Sequence, residues 1–250
     1  MSKCSVVNKA PNEKQMKTIV VLTGAGISAE SGIKTFRDDN GLWRNYRFEE
    51  VASPEAWAAD PELVLEFYNL RRKQLLEVHP NPAHYALARL QEFFDVKIVT
   101  QNVDDLHERA GSRNVLHLHG ELRKARSTAD DSLVTDIDGW ELNLGDMCSL
   151  GSQLRPHVVW FGEITENIVP AIALAEKADA FIIVGTSLRV YPAANLISYT
   201  PRGIPMFFVD PQAQPYPGFA ALQIIKQTAG SGVPMLVDHL IEEYSTQKKR

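Results

Sequence analysis

The stretch Val115–Leu122 reads VLHLHGEL, two histidines two positions apart and then a glycine. An imidazole titrates near neutral pH, so either ring could serve as a general base. Either could equally ligate a metal or be a structural group. In a regular strand His117 and His119 face the same side, so alternation does not choose between them. Gly120 lets the chain turn directly after His119, where a strand mouth is expected.

Four other strand ends carry polar or glycine residues. TIVVLTGAGISAESG is a strand running into a glycine turn and then a helix, and Gly24, Gly26 and Ala29 fit the G-x-G-x-x-G/A dinucleotide spacing. A glycine there has no Cβ to collide with a pyrophosphate, and a following helix N-terminus favours negative charge. A tight strand-to-helix turn would give the same letters. The acidic residue expected about 20 positions on is absent. TFRDDNGLWRNYRFEE stands there instead, a polar loop with aromatics that would cover a ligand. VKIVTQNVDD ends in Gln101, Asn102 and Asp104, which could line a ligand site or cap the next helix. FIIVGTSLRV offers Gly185, Thr186 and Ser187, and MFFVDP offers Asp210, an acceptor for a ribose hydroxyl. Ligands of open parallel sheets sit beyond the carboxyl ends of the strands, so these ends together imply one shared crevice.

The elements that must hold them are legible. Short runs rich in Val and Ile (TIVVLT, VKIVT, AFIIVG, IPMFFVD) read as buried strands. Helical patterns lie between, among them PAIALAEKA and VPMLVDHLIEEY. Asp60 with Pro61, and Asn81 with Pro82, mark two helix starts. The pattern predicts an α/β, Rossmann-like, mostly parallel sheet with helices on both faces. A smaller lobe of insertions adds to it: a helical one at about 45–90 and a polar module at about 123–155. The domain spans 18–244, after a lead at 1–17 and before a solvated tail at 245–250. With 250 residues, 44% hydrophobic, and a net charge of -5, the chain can bury one large core and lacks the basic excess of a nucleic-acid binder. No apolar run approaches the roughly 20 residues of a membrane span. No signal peptide is visible and two cysteines make no disulfide framework, which points to the cytoplasm.

The motifs GAGIS, SGIKTFR, GLW, TQNVDDLHERAG, LHLHGEL, RPHVVWFGE and GTSLRVYPAA together resemble the sirtuins, the NAD-dependent protein lysine deacylases, from about Thr18 to Pro211. The likeness is closest to bacterial members of the desuccinylase class. The resemblance implies that His119 is the catalytic base, with His117 structural. It implies that Asn102 and Asp104 act around the nicotinamide end. It assigns NAD contacts to Gly24, Ala25, Gly26, Ser28, Thr35, Phe36, Arg37, Trp43, Gln101, Asn102, Val103, Asp104, Gly185, Thr186, Ser187 and Asp210. It further implies that Val159, Trp160, Phe161, Gly162 and Glu163 bind the substrate backbone as an added strand. In the implied reaction the acyl oxygen displaces nicotinamide from the ribose. His119 accepts a proton from a ribose hydroxyl, and the products are free lysine and O-acyl-ADP-ribose.

Tyr68 and Arg71, three apart on one helical face, could be plain surface residues. The desuccinylase likeness places them in an acyl pocket, with Ala52 leaving room, so that succinyl- or malonyl-lysine is accepted beside acetyl-lysine. The chain departs from the family in its module. Four zinc cysteines in two pairs are usual there; this chain has Cys148 alone, with Ser127 about where the first ligand should be. Structural zinc needs four soft ligands, so no zinc is expected. Packing of Leu133, Ile137, Trp140, Leu142 and Met147 must then hold the module. Lys34 and Thr35 stand where many relatives have Pro and Asp, and Phe208 where an asparagine is common. The expected partners are acylated lysine peptides or proteins, with neither nucleic acid nor membrane. The competing reading is an ADP-ribosyltransferase or NAD glycohydrolase, and a third is a non-catalytic NAD sensor.

Overall fold

A computed structural model of the protein describes residues 16–33, 42–43 and 46–248, with the side chains of residues 42, 43, 46, 48, 247 and 248 outside that description. In chain order the elements are β1 (Thr18–Thr23), β2 (Leu42–Trp43), β3 (Tyr46–Arg47), α1 (Phe48–Val51), α2 (Pro54–Ala59), α3 (Pro61–Glu77), α4 (Pro82–Leu90), β4 (Asp95–Thr100), α5 (Leu106–Arg109) and β5 (Val115–His117). There follow β6 (Gly120–Ser127), β7 (Val134–Asp136), β8 (Leu154–Val158), α6 (Ile168–Ala175), β9 (Ala180–Val184), β10 (Met206–Val209), β11 (Leu222–Ile225) and α7 (Ala229–Lys248).

The main sheet has the order β11-β10-β9-β1-β4-β5 and every pairing in it is parallel. Two strands follow β1 outward on one side and three later ones on the other, so the direction of winding reverses between β1 and β9. That is the doubly wound Rossmann arrangement, with its crevice at the switch point. Strand β1 is buried on both faces. Ile19 and Val21 join α4 and α7 in one core, while Val20 and Leu22 join α6 and the 3₁₀ segment Ala193–Tyr199 in another. A strand covered on both sides reads as continuous apolar sequence, as TIVVLT does.

Asp60 Oδ1 accepts from Leu63 N–H at 2.9 Å and starts α3, and Asn81 Oδ1 accepts from Ala83 N–H at 3.0 Å and starts α4. Both starts follow the sequence signals. Three expectations change. The glycine turn after β1 leads into two 3₁₀ turns, Ala25–Ile27 and Ala29–Ser31, where a helix was expected. Segment 82–90 packs with the sheet, through Ala83, Ala86, Leu87 and Leu90, so the helical excursion ends with α3. The last helix runs on to Lys248, through most of the segment expected as a tail.

The smaller lobe has its own core, in which Val64, Phe67, Tyr68 and Leu75 of α3 meet Leu122, Val158 and Trp160. The antiparallel sheet β7-β6-β8 carries the module. Ile137 and Leu142 are buried there with Leu65 and Ala125, whereas Met147 is 54% exposed and takes no part in that core. Leu133 and Trp140 are only half-buried. The remaining anchorage is polar. Arg72, fully buried, donates to the carbonyls of Trp140 and Leu122 and to Asn69 Oδ1 at 2.7–3.0 Å, and Asn69 bonds both the N–H and the carbonyl of Leu142.

Candidate functional site

The loops after β1 and β9 meet main chain to main chain. Gly24 N–H donates to Val184 O at 3.0 Å and Gly26 N–H to Gly185 O at 2.8 Å. A Cβ on Gly26 would stand 2.7 Å from Gly185 Cα, and one on Gly24 would stand 2.8 Å from Gly185 O. Gly185 itself has φ +61, a region that favours glycine. So the immediate need for glycine is this loop-on-loop packing, where the sequence suggested clearance for a pyrophosphate.

Beyond these loops lies a cavity of about 490 Å³ between the sheet and the smaller lobe. It gathers most of the residues singled out from sequence. Gly24, Ala25, Gly26, Ser28, Gln101, Asn102, Val103, Asp104, His119, Gly185, Thr186, Ser187 and Asp210 line it. So do Ala52, Tyr68, Arg71, Val159, Trp160, Phe161, Gly162 and Glu163. Thr35, Phe36 and Arg37 lie outside the described residues, as does the side chain of Trp43.

Along β4 and its following loop, polar groups are fixed by one another. Asn102 Nδ2 donates to Gly24 O at 3.2 Å and to Ser28 Oγ at 3.1 Å, and Ser28 Oγ donates to Asp104 Oδ2 at 2.9 Å. Asp104 Oδ1 accepts from Leu106 N–H at 3.2 Å, so its capping role is real alongside its place in the cavity. Burial pushes the Asp104 carboxyl up, against the pull of the Ser28 and Leu106 bonds. Gln101 Nε2 donates to Thr186 Oγ1 at 3.0 Å, tying this loop to the one after β9. Asp210, buried at the end of β10, accepts from Gln212 N–H at 2.8 Å.

The two histidines are held by successive carbonyls. His119 Nδ1 lies 2.9 Å from Gln101 O and His117 Nδ1 lies 2.9 Å from Asn102 O. A carbonyl only accepts, so each Nδ1 carries its proton. For neutral His119 this leaves Nε2 as the acceptor. Burial lowers its pKa below the usual imidazole value, with the Gln101 bond opposing, so the ring is neutral at pH 7. His117 is buried, and its second nitrogen is engaged by Glu108.

At the other end, Tyr68 is 1% exposed and its hydroxyl accepts from Trp160 Nε1 at 3.0 Å. The Arg71 guanidinium sits 5.5 Å from the centre of the Tyr68 ring and 5.6 Å from that of Phe67. Burial lowers the Arg71 pKa, with Tyr68 and Asp104 opposing. Segment 159–163 bridges the two halves of the molecule. Val159 N–H donates to His119 O at 2.9 Å and Phe161 N–H to Ala52 O at 3.0 Å. Phe161, 57% exposed, is open at the mouth. Trp160 is buried wall. The Glu163 carboxylate is occupied inside the protein by Arg155, Arg126 and Trp160 N–H at 2.6–3.2 Å; it fixes the segment and has little left for a substrate.

Sequence reading did not single out several groups. Thr165, Val190, Tyr191, Ile33 and Gln74 also line the cavity; nothing in their spacing marks them. Glu108 is visible in the LHERAG stretch, but only the fold brings it to His117.

Comparison with known proteins agrees with this geometry. The profile of the Sir2 family matches residues 24–192. An NAD-dependent protein deacylase of Bacteroides thetaiotaomicron is 50% identical over 231 residues, 90% of this chain and 99% of the relative. One of Helicobacter pylori is 52% identical over 229 residues, 91% of this chain and 99% of the relative. A Sir2 homologue solved as an NAD complex is 42% identical with a TM-score of 0.80, covering 92% of this chain and 91% of that one. A mutant Sir2 homologue in complex with ADP ribose has a TM-score of 0.84 at 42% identity, covering 92% and 94%.

Proposed function

This chain belongs to the Sir2 family, and from that premise we propose that it is an NAD-dependent protein lysine deacylase in which one cavity takes NAD against the glycine loops and an acyl-lysine against α3. One observation carries this most: His119, its Nδ1 fixed on Gln101 O, lines the same cavity as the glycine loops and the Tyr68–Arg71 pair.

The residues present fit NAD. Gly24, Ala25, Gly26 and Gly185 put main chain on the cavity wall, and Ser28, Asn102 and Asp104 offer a fixed polar floor. When bound, NAD supplies a ribose that gives up nicotinamide and then carries the acyl group. His119 Nε2 takes a ribose hydroxyl proton, directly or by relay. Asn102 and Asp104 hold the nicotinamide end. Gln101, Thr186, Ser187 and Asp210 support the rest of the dinucleotide. Val159–Gly162 holds the substrate main chain, with Glu163 as its brace.

At the acyl end Arg71 and Tyr68 face a carboxylate on the acyl group, so succinyl- and malonyl-lysine are accepted beside acetyl-lysine. A charge-assisted Arg–carboxylate contact contributes roughly 1.5–3 kcal/mol. The expected substrates are acylated proteins. Incubation with NAD and acetyl-, malonyl- or succinyl-peptide should yield the matching O-acyl-ADP-ribose by mass. Nicotinamide release that is independent of peptide would instead support a glycohydrolase, and transfer of ADP-ribose to the peptide a transferase.

The module is proposed to hold without zinc. Cys148 Sγ donates to Ser127 Oγ at 3.2 Å and accepts from Leu150 N–H at 3.4 Å, and the Ser127 hydroxyl already accepts from Ala129 and Asp130 N–H. One thiol and one serine do not make a structural zinc donor set. The Arg72–Asn69 bonds and the Ile137–Leu142 core supply the anchorage instead. Among the described residues no helix is long and apolar enough to cross a membrane.

A further inference from the structure

The chemistry above makes no use of His117, yet its ring is held at both nitrogens. Nδ1 is bonded to Asn102 O and Nε2 lies 2.9 Å from Glu108 Oε1. A carbonyl and a carboxylate both accept, so both nitrogens carry protons and the ring is an imidazolium. Its main chain is fixed as well: β5 pairs with β4, and Asn167 Nδ2 donates to His117 O at 2.7 Å.

We propose that His117, kept charged by Glu108, is a positioning residue for deacylation: it pins the main chain of Asn102 and sets a positive charge near Asp104, so that both keep their place at the nicotinamide end. The proposal deepens the reading of Asn102 and Asp104 given above and rests on it.

Asn102 is restrained at three points. Its N–H donates to Thr100 Oγ1 at 3.0 Å, its side chain reaches Gly24 and Ser28, and its carbonyl accepts from His117 Nδ1–H. If His117 loses a proton, only one N–H remains for two acceptors. Either the Asn102 carbonyl is released or a carboxylate is left facing a ring lone pair. The charged groups around His117 favour its cation. Glu108 on α5 and Glu121 on β6 are negative, and Asp104 feels the His117 charge; His107 on α5 is kept neutral by burial. Burial alone would lower the His117 pKa, but the Glu108 bond and charge, the Asn102 carbonyl and Glu121 outweigh it, so the net shift is upward.

His119 shifts the opposite way. The cation at 117 is present below its raised pKa and is lost as pH rises through it. The base at 119 is competent above its lowered pKa and is lost as pH falls through it. The two rings thus bracket the working range, His119 on the acid limb and His117 on the alkaline limb of kcat/KM.

Glu108→Gln is the decisive variant. The Glu108 side chain is 41% exposed, and glutamine keeps an acceptor while removing the charge. It should move the alkaline limb down by about one pH unit and leave the acid limb in place. His117→Gln should abolish the pH dependence of that limb and lower kcat/KM about tenfold, the scale of one charge-assisted bond. The ring of His117 in the wild type should titrate above 6.5 by NMR, and lower in Glu108→Gln. A wild-type ring that titrates at or below 6.5, or an alkaline limb that does not move in Glu108→Gln, overturns the proposal. A wild type that forms no O-acyl-ADP-ribose overturns the reading of the site, and this proposal with it; an active wild type with an unmoved limb sinks this proposal alone.

Discussion

The two ends of the cavity are built from different materials. At the end proposed for the nucleotide, main chain lies against main chain: Gly24 and Gly26 touch the Gly185 loop with no room for a Cβ. At the end proposed for the acyl group the walls are side chains of one helix, Tyr68 and Arg71 of α3, against Trp160. Close backbone contact tolerates almost no substitution, because any added atom moves two loops at once. A helix face can exchange side chains while the backbone stays put. On the proposed reading, the first end suits a ligand that never changes and the second an acyl group that varies.

That contrast can be broken by measurement. The largest effect should come from His119→Ala, with kcat falling on the order of 10²–10⁴-fold, equally for acetyl- and succinyl-peptide, in steady-state assays. A loss confined to one acyl group would mean that His119 belongs to the acyl end. Next, Arg71→Met should lower kcat/KM on succinyl-peptide by about 10- to 100-fold and on acetyl-peptide only slightly. Equal losses on both would remove Arg71 from acyl selection and leave it a packing residue. Gly26→Ala should destabilise the fold by roughly 1–3 kcal/mol in denaturant titration, and weaken NAD for every acyl substrate alike. An alanine tolerated there would show that the glycine loops are looser than their spacing requires. Smallest of all, dialysis against a chelator should leave the melting temperature unchanged, and metal analysis of protein purified without added metal should find no stoichiometric zinc. Stoichiometric zinc would mean that the module has donors beyond Ser127 and Cys148.

The pair of histidines shows where sequence reading stops. Their spacing places both rings on one side of a strand, and nothing in VLHLHGEL separates a base from a strut. Two carbonyls of the β4 loop bind both Nδ1 atoms in the same way. The difference is Glu108, nine residues before His117, which α5 brings to one ring alone. Arg72 makes the same point. FYNLRRKQ offers two adjacent arginines, and only the fold turns Arg71 to the cavity and buries Arg72 under the module.

From the letters alone came the alternation of strands and helices, the helix starts at Asp60 and Asn81, the glycine turn and the order of motifs that marks the family. All of these depend on neighbours close in the chain: burial pattern, capping and backbone freedom act within a few residues. The fold alone decided which groups share a wall. Glu163 fell to two arginines, the Gly185 loop explained Gly24 and Gly26, and hydrogen bonds from Asn69 and Arg72 of α3 tie down the module. Most such pairings join residues distant in the chain, and their energies depend on distance and burial, which no local pattern contains.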